Sequence, residues 1–309
     1  MFTLAHLSDP HIGPLPQLLL GELLSKRILG FLSWSLRRRN IHLTPVLEAL
    51  ARDLAQTGPD HIAVTGDIVN ISLPGEFDHA TRWLGSLGPP DKVTVIPGNH
   101  DAYIAMDWRR TIGQWSAYMA NSDLGNGIAV EKPLQGDDQF PFVRLRDDVA
   151  LVGVSTALPT PPGFAGGVVG GRQLGVLRDK LVELGKRGLC RVVLIHHPPF
   201  GDPKHRRKEL TDYGAFCDCI ESAGAELVLH GHTHKSGLTK IRTPGGQAPV
   251  IGVPAASARG GHDGKDHSRY HLYRIERDGD GWRLEVEVRG VTPSLDKFAT
   301  EATFALAVP

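Results

Sequence analysis

The apolar residues of the chain fall into short runs that alternate with longer amphipathic segments. Five β-rich runs, each ending in a polar or glycine-rich turn, are predicted to be strands: 2–8, 61–65, 93–96, 191–195 and 225–229. Helical spacing predicts helices over 44–56, 76–87, 107–120, 172–186 and 212–222. This alternation of strands and helices indicates an α/β protein.

Two further segments alternate between apolar and polar residues like antiparallel hairpins, at 142–155 and 270–291. Because they lie outside the strand–helix alternation, we expect mixed sheets. The residues after Thr292 show no strong pattern, so a hairpin and tail are predicted over 268–309. We expect the whole chain, 1–309, to form one domain.

The segment 14–43 differs from the rest of the chain. It is rich in leucine, contains Phe31 and Trp34, and carries five basic residues, Lys26, Arg27, Arg37, Arg38 and Arg39. A helix here would have an apolar face beside a basic end, which could contact a lipid surface or hold an amphiphilic substrate. The alternative is an inserted helix that packs on the domain.

Composition narrows the possible partners and compartments. Lys plus Arg and Asp plus Glu each number 34, so no net charge draws the 309-residue chain toward nucleic acid, and we expect no nucleic-acid partner. The three cysteines are too few for a disulfide framework and suit a reducing compartment. With no apolar run near the roughly 20 residues of a membrane helix and no signal-peptide pattern, a cytoplasmic protein is expected, possible peripheral membrane contact aside.

Five short polar motifs follow the predicted strands. They are Asp9-Pro10-His11, Gly66-Asp67, Gly98-Asn99-His100-Asp101, His196-His197-Pro198 and Gly231-His232-Thr233-His234. In an extended chain, residues two apart point the same way, so the first and last motifs could each present two ligands to one cavity. The glycines would allow tight turns and close backbone approach beside the ligands.

The number of potential ligands exceeds what one metal ion can take. Seven side chains are candidates: Asp9, His11, Asp67, Asn99, His196, His232 and His234. Imidazole and carboxylate without thiolate suit Mn, Fe or Zn in a reactive site and disfavour a structural zinc site. Two divalent ions that share one carboxylate are therefore predicted, an arrangement typical of phosphoryl-ester hydrolysis.

The five motifs, in this order, resemble the signature of the calcineurin-like metallophosphoesterases. The resemblance extends from Asp9 to His234, and the run at 171–181 is similar to the helix that these enzymes carry before the lone-histidine strand. It implies a four-layer α/β/β/α sandwich, in which two mixed sheets face each other between outer helices. Pro10 departs from the residues usual at that position, which affects only the local backbone.

The resemblance also implies roles for individual residues. Asp9, His11 and His234 would hold one ion, Asn99, His196 and His232 the other, and Asp67 would bridge them. His100 would face the leaving-group oxygen as general acid or transition-state stabiliser, a role suited to a histidine that titrates near neutrality, and Asp101 would orient it through a hydrogen bond.

Further polar residues near the motifs are candidates for supporting the ligands or contacting the substrate. Motif position assigns the metal to His196, which leaves His197 as a supporting or substrate-facing residue. The basic run that contains Lys204, Arg206 and Arg207 could steer an anionic substrate, or be a solvated charge run. Histidines outside the motifs need no function, and His42 is interpreted as a cap, surface or loop residue.

The predicted mechanism is attack by metal-bound hydroxide on phosphorus, without a phosphoenzyme. The 98–101 and 196–199 blocks look most like bacterial phosphodiesterases of the cyclic-nucleotide and glycerophosphodiester group, so a small phosphodiester is the first choice of substrate. A pyrophosphate in an amphiphilic lipid precursor, such as UDP-diacylglucosamine, is the alternative because of the 14–43 segment. A non-catalytic scaffold of the same fold would tend to lose ligands, and none is missing here.

Overall fold

A computed structural model of the chain describes residues 1–18, 20–23, 25–122, 131–201, 206–260 and 265–309. The strands are β1 Phe2–Leu7, β2 His61–Val64, β3 Val93–Val95, β4 Ala120–Ser122, β5 Glu131–Pro133, β6 Phe142–Arg146, β7 Val149–Gly153, β8 Cys190–Leu194, β9 Leu227–His230, β10 Gly237–Thr243, β11 Gly246–Gly252, β12 Arg269–Asp278, β13 Gly281–Val291 and β14 Phe298–Val308. The α-helices are α1 Arg27–Leu36, α2 Thr44–Thr57, α3 Pro74–Leu87, α4 Gly171–Lys186 and α5 Tyr213–Ala223. Short 3₁₀ helices occupy Leu20–Leu23, Arg38–Asn40, Trp108–Arg110, Ile112–Tyr118, Asp137–Gln139 and Arg206–Lys208.

Two six-stranded mixed sheets form the centre of the fold. The first has the order β14-β13-β12-β1-β2-β3, in which β1, β2 and β3 are parallel to each other and the other three are antiparallel to their neighbours. The second has the order β10-β11-β9-β8-β7-β6, with β7, β8, β9 and β11 parallel. A separate two-stranded sheet pairs β4 with β5.

The alternation of side chains along the central strands creates two cores. On β8, Val192 and Leu194 belong to the core shared with the first sheet, whereas Val193 packs with Leu177 of α4 and Phe216 of α5. The first core also includes residues of α2 and α3. The layers are therefore helices, sheet, sheet and helices, as the α/β/β/α expectation requires.

Most of the predicted elements are present. The strands, the helices α2 to α5 and the hairpins at β6–β7 and β12–β13 lie within a few residues of the predicted bounds. The end of α2 at Gly58 is set by a left-handed backbone, φ 58°, that glycine adopts without strain. At the other end, Leu43 is the N-cap residue, and Pro45 lies in the first turn of the helix.

The local structure differs from the predicted elements in two places. The helix expected over 107–120 is a pair of 3₁₀ helices, because Thr111 leaves helical geometry (φ −132°, ψ −120°) between them. The residues after Thr292, whose sequence has no strong pattern, include the eleven-residue strand β14, which pairs with β13 at the sheet edge. The register of this pair shifts at Val288 and Arg289.

The inserted segment forms α1 and packs on the body of the protein through its polar and small residues. The buried Arg27 donates from Nε to the carbonyl of Ile71 at 3.1 Å, and a Cβ on Gly30 would lie 2.5 Å from the Ile71 side chain. The opposite face exposes Leu32 and Leu36. None of the helices in the described ranges is both long and apolar enough to cross a lipid bilayer.

Candidate metal centre

The five motifs converge where parallel strands of both sheets end. Asp9 follows β1 and Asp67 follows β2, and the backbone joins them because Asp9 N donates to Gly66 O at 3.0 Å. In the second sheet, His196 follows β8 and Gly231 follows β9, where Gly231 N donates to His196 O at 3.1 Å. A bridge between Ser8 and Ala255 links the two sheets at this edge, so the ligand loops lie together.

Five of the candidate ligands have a left-handed backbone. The φ angles are 52° at Asp9, 40° at His11, 55° at Asp67, 66° at His232 and 55° at His234. Non-glycine residues rarely adopt this conformation, and such strain concentrates at functional sites. The expectation that the first and last motifs are extended was therefore wrong, although Asp9 and His11 still meet in one ligand group with Asp67, and His232 and His234 both line one cavity.

The first ligand group consists of Asp9, His11, Asp67 and His234. His234 Nε2 lies 3.1 Å from Asp9 Oδ1 and 3.3 Å from His11 Nε2. His11 Nε2 is 3.8 Å from Asp67 Oδ2. The other nitrogen of His11 is 3.2 Å from the carbonyl of Val69, which fixes the ring with Nε2 directed at the group.

The second ligand group consists of Asp67, Asn99, His196 and His232. His196 Nε2 lies 3.4 Å from Asp67 Oδ2 and 3.2 Å from Asn99 Oδ1, while its Nδ1 donates to Thr65 O at 2.7 Å. His232 Nε2 is buried and has no hydrogen-bond partner in the described part of the chain. A buried polar atom without a partner is costly, and a metal ion would satisfy it.

The charges of these groups also favour bound cations. Although burial alone would lower it, the adjacent Asp67 carboxylate raises the pKa of His196 to about 9. Burial would raise the pKa of Asp9, but His234 lowers it overall. Two buried carboxylates thus draw a proton onto a histidine, and divalent ions could replace that positive charge. The donor set and its electrostatics fit a centre of two ions.

His197 is held by the protein on both sides of its ring. Its Nδ1 lies 2.7 Å from Thr156 Oγ1 and its Nε2 lies 3.0 Å from Ala165 O. The ring stands 4.4 Å from that of His232, centroid to centroid, so ligand atoms of His196, His197 and His232 lie within 4.8 Å of one another. The partners of both His197 nitrogens are not candidate ligands, whereas Nε2 of His196 faces Asp67 and Asn99, so this geometry supports His196 as the ligand.

His100 and Asp101 have different partners from those expected. His100 Nδ1 is 2.5 Å from the carbonyl of Asn70, which can only accept, so Nδ1 carries the proton and Nε2 accepts from Arg38 Nη2 at 2.8 Å. Burial, followed by the charge of Arg38, lowers the pKa of His100 to about 3. The ring is therefore neutral at neutral pH, which corrects the expectation that it titrates there.

The predicted hydrogen bond between Asp101 and the His100 ring is absent. Asp101 Oδ1 accepts from the backbone nitrogens of Ile68 and Val69 at 2.9 and 3.0 Å, and Oδ2 accepts from Gly98 N at 2.8 Å. These two backbone segments adjoin the ligands Asp67 and Asn99. Asp101 therefore joins two ligand loops, and burial, followed by the charge of Asp67, raises its pKa to about 7.

Two of the basic residues expected to face the substrate, Arg206 and Arg207, do not line the cavity. Arg206 and Arg207 are exposed, and the Arg207 guanidinium stacks over the Phe164 ring at 5.4 Å rather than lining the cavity. Lys204 lies outside the described residues. Lys208, the last residue of the same 3₁₀ helix, lines the cavity in their place.

Three residues of the site were missed by the sequence analysis. His42 lies in the loop between the 3₁₀ helix Arg38–Asn40 and α2, but it is only 8% exposed and belongs to the site. Its ring centroid lies 4.6 Å from that of His11, and Nδ1 is 2.7 Å from Ser257 Oγ. Arg38 and Lys265 also line the cavity. The basic run after α1 was a signal for Arg38, but no motif marked His42 or Lys265.

The cavity in front of the two ligand groups has a volume of about 280 Å³. Its described lining residues are Ser33, Arg37, Arg38, Ile41, His42, Asp67, Asn99, His100, Ala165, Lys208, His232, His234 and Lys265. The inserted segment thus supplies one wall.

A family model described as calcineurin-like phosphoesterase matches residues 2–236 of this chain.

The chain belongs to the calcineurin-like phosphoesterase family. Members of this family are dinuclear metal-dependent enzymes, and the chain is accordingly a metal-dependent phosphoric ester hydrolase. The four-layer fold is therefore that of its family.

Two curated relatives resemble the chain. It is 23% identical over 248 residues to a Synechococcus protein named "Probable cyclic nucleotide phosphodiesterase", with 79% of this chain and 82% of that protein covered. It is 33% identical over 98 residues to a glycerophosphodiester phosphodiesterase of Enterobacter lignolyticus, with 32% of this chain and 29% of that protein covered. Both relatives bear phosphodiesterase names.

Solved structures resemble the fold. A dimetal phosphatase of Danio rerio matches with a TM-score of 0.61 and 14% identity, covering 97% of this chain and 98% of that one. A purple acid phosphatase of yellow lupin matches with a TM-score of 0.59 and 10% identity, covering 99% of this chain and 53% of that one. At these identities the likeness concerns the fold alone.

Proposed function

We propose that the chain is a phosphodiesterase that hydrolyses a small-molecule phosphodiester at a centre of two divalent ions. The observation that carries the proposal is the position of Asp67. Its Oδ2 lies 3.8 Å from His11 Nε2 and 3.4 Å from His196 Nε2, so one oxygen faces both ligand groups. The phosphodiesterase names of the two curated relatives support a diester over a monoester.

The first ligand group would hold one ion and the second ligand group the other, with Asp67 shared. When bound, two such metal ions lower the pKa of a coordinated water molecule and neutralise charge on the phosphoryl oxygens. Imidazole and carboxylate ligands suit manganese, iron or zinc, and these are the proposed metals. Val69 O and Thr65 O keep the rings of His11 and His196 in the orientation needed for binding.

His100 would contact the substrate from the cavity wall as a neutral ring. The carbonyl of Asn70 fixes the Nδ1–H tautomer and aims Nε2 at Arg38. We therefore propose that His100 orients the Arg38 guanidinium toward the substrate, in place of the expected cationic acid. Asp101 would act as a positioning residue that keeps the Asp67 and Asn99 loops together.

The test is hydrolysis of bis-p-nitrophenyl phosphate compared with p-nitrophenyl phosphate by metal-stripped protein titrated with Mn²⁺. We expect a faster, Mn²⁺-dependent reaction with the diester and a loss of roughly a hundredfold or more in Asp67→Ala, because both ions would lose the ligand that they share. Asp218→Ala, an exposed carboxylate on α5, is the matched control. A preference for the monoester, or full activity of Asp67→Ala, would contradict the proposal.

A specific observation favours a second role for the inserted segment, contact with a lipid surface or amphiphilic substrate. On α1, Ile28, Leu29, Leu32 and Leu36 are 49%, 50%, 49% and 75% exposed, although α1 is otherwise packed on the protein. Ser33 and Arg37 of the same region line the cavity, so the apolar face lies at its rim. Exposed apolar residues next to basic ones are typical of interfacial helices.

This second role is tested by sedimentation with vesicles of phosphatidylglycerol and phosphatidylcholine. We expect Leu32→Ser combined with Leu36→Ser to reduce the bound fraction, whereas Leu238→Ser, 52% exposed on β10, should not. Equal binding of all variants, or none by the wild type, would refute it.

The proposed compartment is cytoplasmic. All three cysteines, Cys190, Cys217 and Cys219, are free thiols, which suits a reducing environment. Measuring the free thiols of protein purified from its natural host under alkylating conditions would test this.

A further inference from the structure

Besides Arg37, three cationic side chains from separate parts of the chain line the cavity. Arg38 follows α1, Lys208 ends a 3₁₀ helix after β8, and Lys265 precedes β12. The chain as a whole has 34 basic and 34 acidic residues, so this local excess is not a consequence of composition. We call these three residues the cationic triad.

The cationic triad is anchored to the site without being neutralised. Arg38 Nη2 donates to His100 Nε2 at 2.8 Å, and Lys265 Nζ donates to Thr233 O, between two candidate ligands, at 2.5 Å. Within the described ranges, which exclude 202–205 and 261–264, none of the three forms an ion pair with a carboxylate within 4 Å. Elsewhere the basic residues Arg144, Arg191 and Arg289 do form such pairs.

The members of the triad repel one another. Burial lowers the pKa of Lys265, and the charges of Lys208 and Arg38 lower it further. Like charges gathered around one cavity raise the free energy of the empty site, and a bound anion would offset that cost.

A simple diester cannot balance the charge at this site. Two divalent ions would bring four positive charges, while Asp9 and Asp67 supply two negative charges and the attacking hydroxide one, which leaves one positive charge at the centre. A phosphodiester contributes only one negative charge. The three cations of the triad would therefore remain in excess unless the substrate carries further negative charge close to the scissile group.

We propose that the cationic triad binds a second phosphate group of the substrate, so that the substrate is a phosphodiester or phosphoanhydride with an additional phosphoryl group beside the scissile bond. This inference rests on the proposed function, since it places the scissile group at the metal centre. Both terminal nitrogens of Arg38 lie near the His100 ring, and the N–H groups of the planar guanidinium that do not point at that ring suit phosphoryl oxygens, while the two lysines act as point charges.

The test measures by calorimetry how tightly the Mn²⁺-loaded protein binds two ligands that differ by one phosphate. The ligands are adenosine 5′-monophosphate and adenosine 3′,5′-bisphosphate, at a fixed free Mn²⁺ concentration. We expect the wild type to bind the bisphosphate about tenfold or more tightly, and Lys208→Ala and Lys265→Met each to reduce that ratio by roughly five- to tenfold. Lys240→Ala, an exposed lysine on β10, is the matched control and should keep the ratio.

Metal content and circular dichroism of each variant show whether it is folded and loaded, and Lys208 is exposed, so its substitution spares the core. Equal affinity of the wild type for both ligands, or an unchanged ratio in both triad variants, overturns the inference. The readout does not depend on turnover. A protein that fails to hydrolyse diesters but prefers the bisphosphate through the triad would refute the proposed function alone.

Discussion

Substitution of Asp101 tests how the centre is assembled. The carboxylate accepts three backbone N–H groups, two from the loop after β2 and one from the loop after β3. In Asp101→Asn, the amide oxygen could still accept from Ile68 and Val69, but the amide NH₂ would face the N–H of Gly98, now 2.8 Å from Oδ2. One buried hydrogen bond would be lost, and two donor groups would face each other.

The expected magnitude follows from the buried partners. Leaving a buried donor unsatisfied costs about 1–3 kcal/mol, so Asp101→Asn should lower the free energy of unfolding by about that amount. Asp101→Ala leaves all three N–H groups without an acceptor, and we expect about 3–5 kcal/mol. Because the two loops carry Asp67 and Asn99, the affinity for Mn²⁺ should fall about 10- to 100-fold in both variants.

Urea unfolding and competition with a metal chelator measure the two quantities. The matched control is Asp212→Asn, because the Asp212 carboxylate also accepts backbone N–H groups, from Val169 and Gly170, but does not line the metal site. It should lose stability and keep its metal affinity. If Asp101→Asn kept both stability and metal affinity while kcat fell, Asp101 would instead act through His100, and the loop-joining role would be refuted.

Three further predictions concern the glycine turns, the ligand choice and pH. Gly66→Ala should abolish Mn²⁺ binding, because φ is 92° and a Cβ would lie 2.5 Å from the backbone nitrogen of Gly98 in the loop after β3. Gly175→Ala, whose Cβ would meet open space, should bind Mn²⁺ normally. Equal metal content of the two variants would contradict this prediction. By elemental analysis, His196→Ala should lose one ion per chain and His197→Asn should keep two; the reverse would assign the ligand to His197. Burial, followed by the charge of Arg269, lowers the pKa of His271 to about 4. Stability that is present above pH 6.5 should therefore be lost as the pH falls to about 4, by up to about 3 kcal/mol. In urea titrations His271→Gln should lack this part of the decline, and parallel wild-type and variant profiles would contradict the prediction.

The fold could largely be predicted because its central strands carry strong local signals. β1, β8 and β9 are short apolar runs that end in polar motifs, and such runs are predictable without tertiary information. By contrast, β14 is an edge strand whose side chains are mostly exposed, so its pattern is weak and its pairing with β13 defines it. The two 3₁₀ helices around Thr111 were mistaken for one helix because both forms have similar apolar spacing.

The candidate site was predictable where motifs adjoin strands and unpredictable where tertiary contacts decide. The ligand positions follow from strand ends, but the left-handed backbone at Asp9 and His11 depends on packing between loops. His42 lies 31 residues after His11, and their contact depends on how the inserted segment packs against the rest of the protein. The partners of Asp101 are backbone groups, which leave no trace in the sequence.

The central claim is that two divalent ions are held by the two ligand groups and share Asp67. The most direct measurement is metal stoichiometry by elemental analysis during Mn²⁺ titration, with diester hydrolysis recorded on the same samples. We predict two ions per chain in the wild type, with activity rising as the second ion binds, and a single ion with little activity in Asp67→Ala. A wild type that reaches full activity with one ion, or an Asp67→Ala variant that binds two ions and remains fully active, would contradict the claim.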